Sequence, residues 1–146
     1  MSAYRTVVVG TDGSDSSLRA VDRAGTIAGA NAKLIVASAY LPQHEDGRAA
    51  DALGSESYKV SGAAPIYAIL QEAKERAQAA GATNVEERSV VGAPVDALVG
   101  LAEEVGADLL VVGNVGLSTI AGRLLGSVPA NVSRRAKVDV LIVHTS

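Results

Sequence analysis

Leu109-Leu110-Val111-Val112-Gly113-Asn114-Val115-Gly116-Leu117-Ser118-Thr119-Ile120-Ala121-Gly122-Arg123-Leu124-Leu125-Gly126-Ser127 opens on four consecutive apolar residues and then turns glycine-rich. Such an apolar run reads as a parallel strand buried on both faces. Residues 128–136, which follow, read as a helix. A strand that ends in glycines and hands over to a helix start is a place to hold an anion. The first helical N–H groups there have no intrahelical partner, and the dipole is positive. Gly113 and Gly116 let the backbone approach a ligand with no Cβ in the way. Gly126 repeats this at the helix start, where Ser127 can cap the helix or offer its hydroxyl. The plainer reading is that these glycines only make turns. It suits any one pair of them, but four framing a single strand-to-helix connection favour an anion site.

The rest of the chain alternates in the same way. Thr6–Gly10 and Lys33–Tyr40 read as buried strands, and residues 138–143 close the chain as another. Val85–Val91 is a strand whose Glu86 and Arg88 suit a sheet edge. Between strands, apolar residues recur at helical spacing. Leu18, Val21, Ala24, Ile27 and Ala28 form the first such stripe, with Ser14 or Asp15 as its N-cap and Gly29 at its end. Ile66, Ile69, Leu70, Ala73 and Ala77 form the second, with Pro65 in its first turn and Gly81 as its stop. Val95, Leu98, Leu101 and Ala102 form the third, along Pro94–Val105. The fold class is therefore α/β: a doubly wound, five-stranded parallel sheet with right-handed crossovers and helices on both faces. Residues 41–64 fit neither element, apart from a short helix around residues 48–53. A stretch of this length is a lid, a binding loop or a surface insertion.

Composition narrows the function. The 146 residues suit one domain, over residues 1–146, with a sizeable core. Four Tyr and no Phe or Trp leave that core to Val, Leu, Ile and Ala. A formal net charge of −3 gives no footprint for nucleic acid, and no clustered basic face suits an anionic membrane. The absence of cysteine excludes disulfides, thiolate metal sites and a Cys nucleophile, and fits a reducing compartment. No apolar run approaches the ~18 residues of a membrane span, and Met1-Ser2-Ala3-Tyr4-Arg5 runs directly into a strand. A cytoplasmic location is expected.

The spacing Gly-x2-Gly-x9-Gly-Ser, carried by Gly113, Gly116, Gly126 and Ser127, resembles the nucleotide-binding signature of the universal stress protein family. Val7-Val8-Val9-Gly10-Thr11-Asp12-Gly13-Ser14, Gly92-Ala93-Pro94 and Val140-Leu141-Ile142-Val143 extend the resemblance over the whole chain. The chain is most similar to a small-protein subgroup that binds cyclic AMP. The resemblance implies strand order 3-2-1-4-5, a homodimer and adenine-nucleotide binding. It makes Asp12 the nucleotide-proximal aspartate and places the adenine edge against the backbone of Ala39 and Tyr40. In that order the first and fourth strands flank the reversal of the sheet, where ligands bind beyond the carboxyl ends. Gly10-Thr11-Asp12 and Gly113 then meet at one crevice. The last strand lies at an edge and carries no charge or proline in Val140-Leu141-Ile142-Val143, so two copies can pair through it.

Residue chemistry favours binding over catalysis. Asp12 can accept from a ribose hydroxyl, hold a metal beside a phosphate, or simply close an Asx turn. Asn131 lies one turn after Ser127 and either reaches a ligand or packs. His44, in the long loop, and His144, after the last strand, have no nucleophile at motif spacing, and no Gly-x-Ser-x-Gly elbow occurs. There is no Gly-x4-Gly-Lys-[Ser/Thr] loop, and no Gly-x-Gly-x2-Gly follows the first strand. A response regulator needs an aspartate after the third strand, where Val90-Val91-Gly92-Ala93-Pro94 stands; a flavodoxin needs more aromatic loops. Thr11-Asp12-Gly13-Ser14-Asp15-Ser16 is a partial match to the loop of pyrophosphate-releasing ATP enzymes, but puts a carboxylate where pyrophosphate belongs. Arg134-Arg135 complements the dipole of the last helix or meets a protein partner. No resident metal is expected. The reading is a non-enzymatic nucleotide sensor; the alternatives are an ATP-dependent dimeric switch, with or without magnesium, and an interaction protein with a vestigial site. The site loops, residues 10–16 and 113–127, hold Asp12, Asp15 and Arg123 and no lysine, which favours singly charged cyclic AMP over ATP.

Overall fold

The structure, a computed structural model, describes residues 4–40, 63–114, 132 and 134–144. Strands and helices alternate as β1 (Thr6–Gly10), α1 (Asp15–Ala28), β2 (Lys33–Tyr40), α2 (Ala63–Ala79), β3 (Val85–Val91), α3 (Pro94–Val105), β4 (Leu109–Gly113) and β5 (Asp139–Val143). All pairings are parallel, and the sheet order is β3-β2-β1-β4-β5. Order and parallel sense are those expected. The last strand begins one residue later than its apolar run, at exposed Asp139 rather than Val138. The loop at 41–62, with His44 and the short helix near residues 48–53, lies outside the described residues. Of the helix expected at 128–136, only Val132, Arg134, Arg135 and Ala136 are described; the first three are helical and Ala136 is not.

Side chains in a strand alternate between faces, so each strand feeds two cores. Val7, Val9, Leu34, Val36, Leu109 and Val111 turn to the face covered by α1 and α2. Val8, Ile35, Ala37, Leu110 and Val112 turn to the face covered by α3 and Val132. This double burial is why β1 and β4 read as unbroken apolar runs. Removing each such Val or Leu side chain from water contributes about 1.5–3 kcal/mol.

The helices are fixed at their ends and at their crossings. Ser14 is the N-cap of α1: its hydroxyl accepts from the Ser17 N–H. Gly29 ends α1 at φ +50°. The α1–α2 crossing is so close that a Cβ on Gly25 would lie 2.7 Å from the Ala77 carbonyl oxygen. Arg76 of α2 forks onto Asp22 of α1, with Nε 3.0 Å from Oδ1. On edge strand β3, Glu86 pairs with Lys33 at 2.7 Å and Arg88 with Glu104 at 3.0 Å. The bond from Lys33 holds the Glu86 carboxyl below the usual carboxylate range. Such charges discourage further strand pairing at this edge.

The opposite end of the sheet is closed by Asp108, just before β4. Its Oδ2 accepts from the backbone N–H of Arg5 at 2.7 Å and of Thr6 at 3.2 Å. Those two backbone bonds hold its carboxyl below the ordinary range. With the ladder started there, the carboxyl ends of β1, β2 and β4 emerge together.

Candidate functional site

The ends of β1 and β2, with the start of α3, form a cleft lined by Gly10, Thr11 and Asp12 from β1 and its loop, Ala37 and Ala39 from β2, and Pro94 and Leu98 from α3. It opens where β2 outruns β1. Gly10 pairs with Ala37, and the Thr11 N–H donates to the Ala37 carbonyl at 2.9 Å. In a parallel ladder both main-chain groups of a residue face the same neighbour, and the direction alternates along the strand. Ala37 faces β1, so Ala39 does too, but β1 has ended and Ala39 turns its N–H and C=O to the cleft. Tyr40 faces the other way: its carbonyl accepts from the Gly92 N–H at 2.7 Å. The Tyr40 side chain is 38% exposed. Of the predicted pair, Ala39 lines the cleft and Tyr40 does not.

Asp12 performs the turn-closing role anticipated for it while lining the cleft. Its Oδ1 accepts from the Ser14 N–H at 2.9 Å, closing an Asx turn. Thr11 is 1% exposed. Its hydroxyl points inward to Ser17 Oγ, 2.8 Å away. Thr11 therefore lines the cleft with its backbone.

Gly113 reaches this region from β4, where Val9 pairs with Val111 two residues earlier. Its tight neighbour within the chain is α1. A Cβ on Gly113 would lie 3.0 Å from Ser16 Oγ and 3.1 Å from the Ser16 carbonyl oxygen. What the glycine expected to admit a ligand is seen to admit is the first turn of α1. Gly116, Arg123, Gly126, Ser127 and Asn131 lie outside the described residues. Arg135, expected to serve the helix dipole, makes a specific bond: its Nη1 lies 2.6 Å from Asp96 Oδ1 in the first turn of α3.

Sequence reasoning missed three lining residues. The sequence reading gives Leu98 to the helical core stripe, Pro94 to a helix start and to the family motif Gly92-Ala93-Pro94, and Ala37 to a strand, none of them to the site. Period-two alternation from Ala39 points to Ala37; no local signal brings Leu98 to the cleft, because α3 reaches it through tertiary packing.

The sequence pattern of the universal stress protein family matches residues 3–144. The chain belongs to the universal stress protein family. A family member from Mycobacterium tuberculosis is 83% identical over 146 residues, covering all of both chains. A crystal structure of a universal stress protein in complex with cAMP is 73% identical, covers 99% of this chain and 100% of its own, and superposes with a TM-score of 0.77. The family member from Archaeoglobus fulgidus in complex with dAMP shares the fold at 23% identity, with a TM-score of 0.65 over 95% of this chain and 97% of its own. Among the described residues no helix is long and apolar enough to cross a membrane.

Proposed function

We propose that this protein is a single nucleotide-binding domain that holds an adenine nucleotide beyond the carboxyl ends of β1, β2 and β4. Cyclic AMP is its preferred ligand, and it acts as a sensor or a ligand-sequestering protein rather than an enzyme. The observation that carries this reading is the cAMP complex of a protein 73% identical over 99% of this chain. The cleft's chemistry supports it. Ala37, Pro94 and Leu98 offer an apolar bed for a flat base. The N–H and C=O of Ala39 offer a donor and an acceptor side by side for an adenine edge. Asp12 offers an acceptor to a sugar hydroxyl, and the glycine stretch with Gly113, Gly116, Gly126 and Ser127 offers N–H groups and a hydroxyl to one phosphate. Gly10 and Thr11 contribute backbone to the wall.

Charge sets the order of ligands. Asp12 and Asp15 against Arg123 leave the two site loops one unit negative, which one phosphodiester tolerates better than a triphosphate. Such a difference is worth ~1–3 kcal/mol, or about tenfold to a hundredfold in affinity. The test is calorimetry with cyclic AMP and ATP in parallel at one ionic strength, with and without magnesium. Cyclic AMP should bind more tightly; ATP binding more tightly without the metal overturns the preference, and no binding of either overturns the function. The same reading includes a homodimer paired through β5 and a cytoplasmic location, the latter in keeping with a cysteine-free chain.

A further inference from the structure

Two buried hydroxyls beneath the cleft do more than fill space. Ser17 is 0% exposed and Thr11 1%. The Ser17 hydroxyl donates to the Ser14 carbonyl at 3.0 Å. A carbonyl only accepts, so this bond uses the one proton that Ser17 has. The 2.8 Å contact between Thr11 Oγ1 and Ser17 Oγ must then be donated by Thr11. With both protons assigned, the oxygens are acceptors for the loop above them. The Asp12 N–H donates to Ser17 Oγ at 3.2 Å, and the Gly13 N–H to Thr11 Oγ1 at 3.1 Å. The Thr11 N–H goes to the Ala37 carbonyl and the Ser14 N–H to Asp12 Oδ1. Every N–H of residues 11–14 is bonded within the chain.

A loop that binds phosphate does so with successive N–H groups turned to the ligand. Here those groups are already taken in residues 11–14, and the Ser14 hydroxyl accepts from the Ser17 N–H at 3.2 Å. We infer that Thr11 and Ser17 are positioning residues that hold this loop with the N–H groups of residues 11–14 turned inward. It presents the Asp12 carboxylate to a sugar hydroxyl and denies the β1 end of the cleft to a phosphate. This agrees with the placement proposed above, with the sugar over the β1 loop and the phosphate toward the β4 end. The inference rests on the nucleotide reading above and adds to it the two residues that fix the ligand's polarity.

In cyclic AMP the 2′-hydroxyl is the one free sugar hydroxyl, which gives a direct probe. The wild-type protein should bind 2′-deoxy cyclic AMP about tenfold more weakly than cyclic AMP, the loss of one hydrogen bond to a charged acceptor. Thr11→Val keeps the volume but removes the oxygen, and should bring the two affinities toward parity. Thr11→Ser restores the oxygen and should restore the discrimination; a purely structural role would lower both affinities equally. A second measurement needs no variant. In amide exchange by NMR, the Asp12 and Gly13 N–H groups should be protected before nucleotide is added and unchanged after it. Equal wild-type affinity for the two ligands overturns the inference, as do Asp12 and Gly13 amides that become protected only on binding. Absence of any cyclic AMP binding overturns the functional reading instead.

Discussion

Gly113→Ala separates two reasons for a glycine at the end of β4. The added Cβ would stand 3.0 Å from Ser16 Oγ, 3.1 Å from the Ser16 carbonyl oxygen and 3.4 Å from its carbonyl carbon. The hydroxyl can rotate away. The carbonyl cannot, because it belongs to the first turn of α1, so strand and helix must part by a few tenths of an ångström. Overpacking of this kind costs about 1–3 kcal/mol. Replacing glycine stiffens the unfolded chain and returns ~0.4–1 kcal/mol. The net loss is then about 0.5–2 kcal/mol, or a fall in Tm of roughly 2–8 °C for a chain of this size. Because Ser16 follows directly on the Asp12 loop, nucleotide affinity should fall as well. The assay is urea and thermal unfolding of the ligand-free variant beside calorimetry with cyclic AMP. Ser16→Ala, which removes the hydroxyl but not the carbonyl, should not rescue the double variant. A Gly113→Ala protein that unfolds at the wild-type midpoint yet binds no nucleotide would refute this reasoning and leave the glycine to the ligand alone.

Two further outcomes follow from strand geometry and charge. The Val143 carbonyl accepts from the Asn114 N–H at 3.0 Å, so alternation turns the main-chain groups of Val140 outward. Val140→Pro removes an outward donor without touching the β4 ladder, and should convert a dimer to a monomer in sedimentation while circular dichroism stays unchanged. A dimer that persists rules out pairing through β5. Asp108 and Glu86 are both held below the ordinary carboxylate range, Asp108 by the Arg5 and Thr6 N–H groups and Glu86 by Lys33. Their contribution is complete above about pH 4, the unfolded value, and is lost as pH falls through the lower folded values. Asp108→Asn should therefore flatten the fall of the unfolding midpoint below about pH 4. An acid profile identical to wild type would show that the carboxylate plays no part.

The sequence by itself determined most of the elements and their faces. Five of them have the bounds that the apolar runs and helical stripes predict: Thr6–Gly10, Lys33–Tyr40, Val85–Val91, Pro94–Val105 and Leu109–Gly113. Strand and helix depend on periodicities of two and 3.6 residues, which are local and therefore written in neighbouring letters. Ser14 and Gly29 were legible as caps for the same reason. Only the tertiary structure decided which atoms meet. That Ala39 faces the cleft while Tyr40 faces β3 depends on the register with β1, set by the pairing of Gly10 with Ala37. That Gly113 meets Ser16, Leu98 meets the cleft and Arg135 meets Asp96 depends on elements brought together across the sheet. The inward turn of the Thr11 hydroxyl belongs with these, since its partner Ser17 is buried by packing against the sheet. Local pattern states which face a residue shows, and the closing of the sheet states what that face finds there.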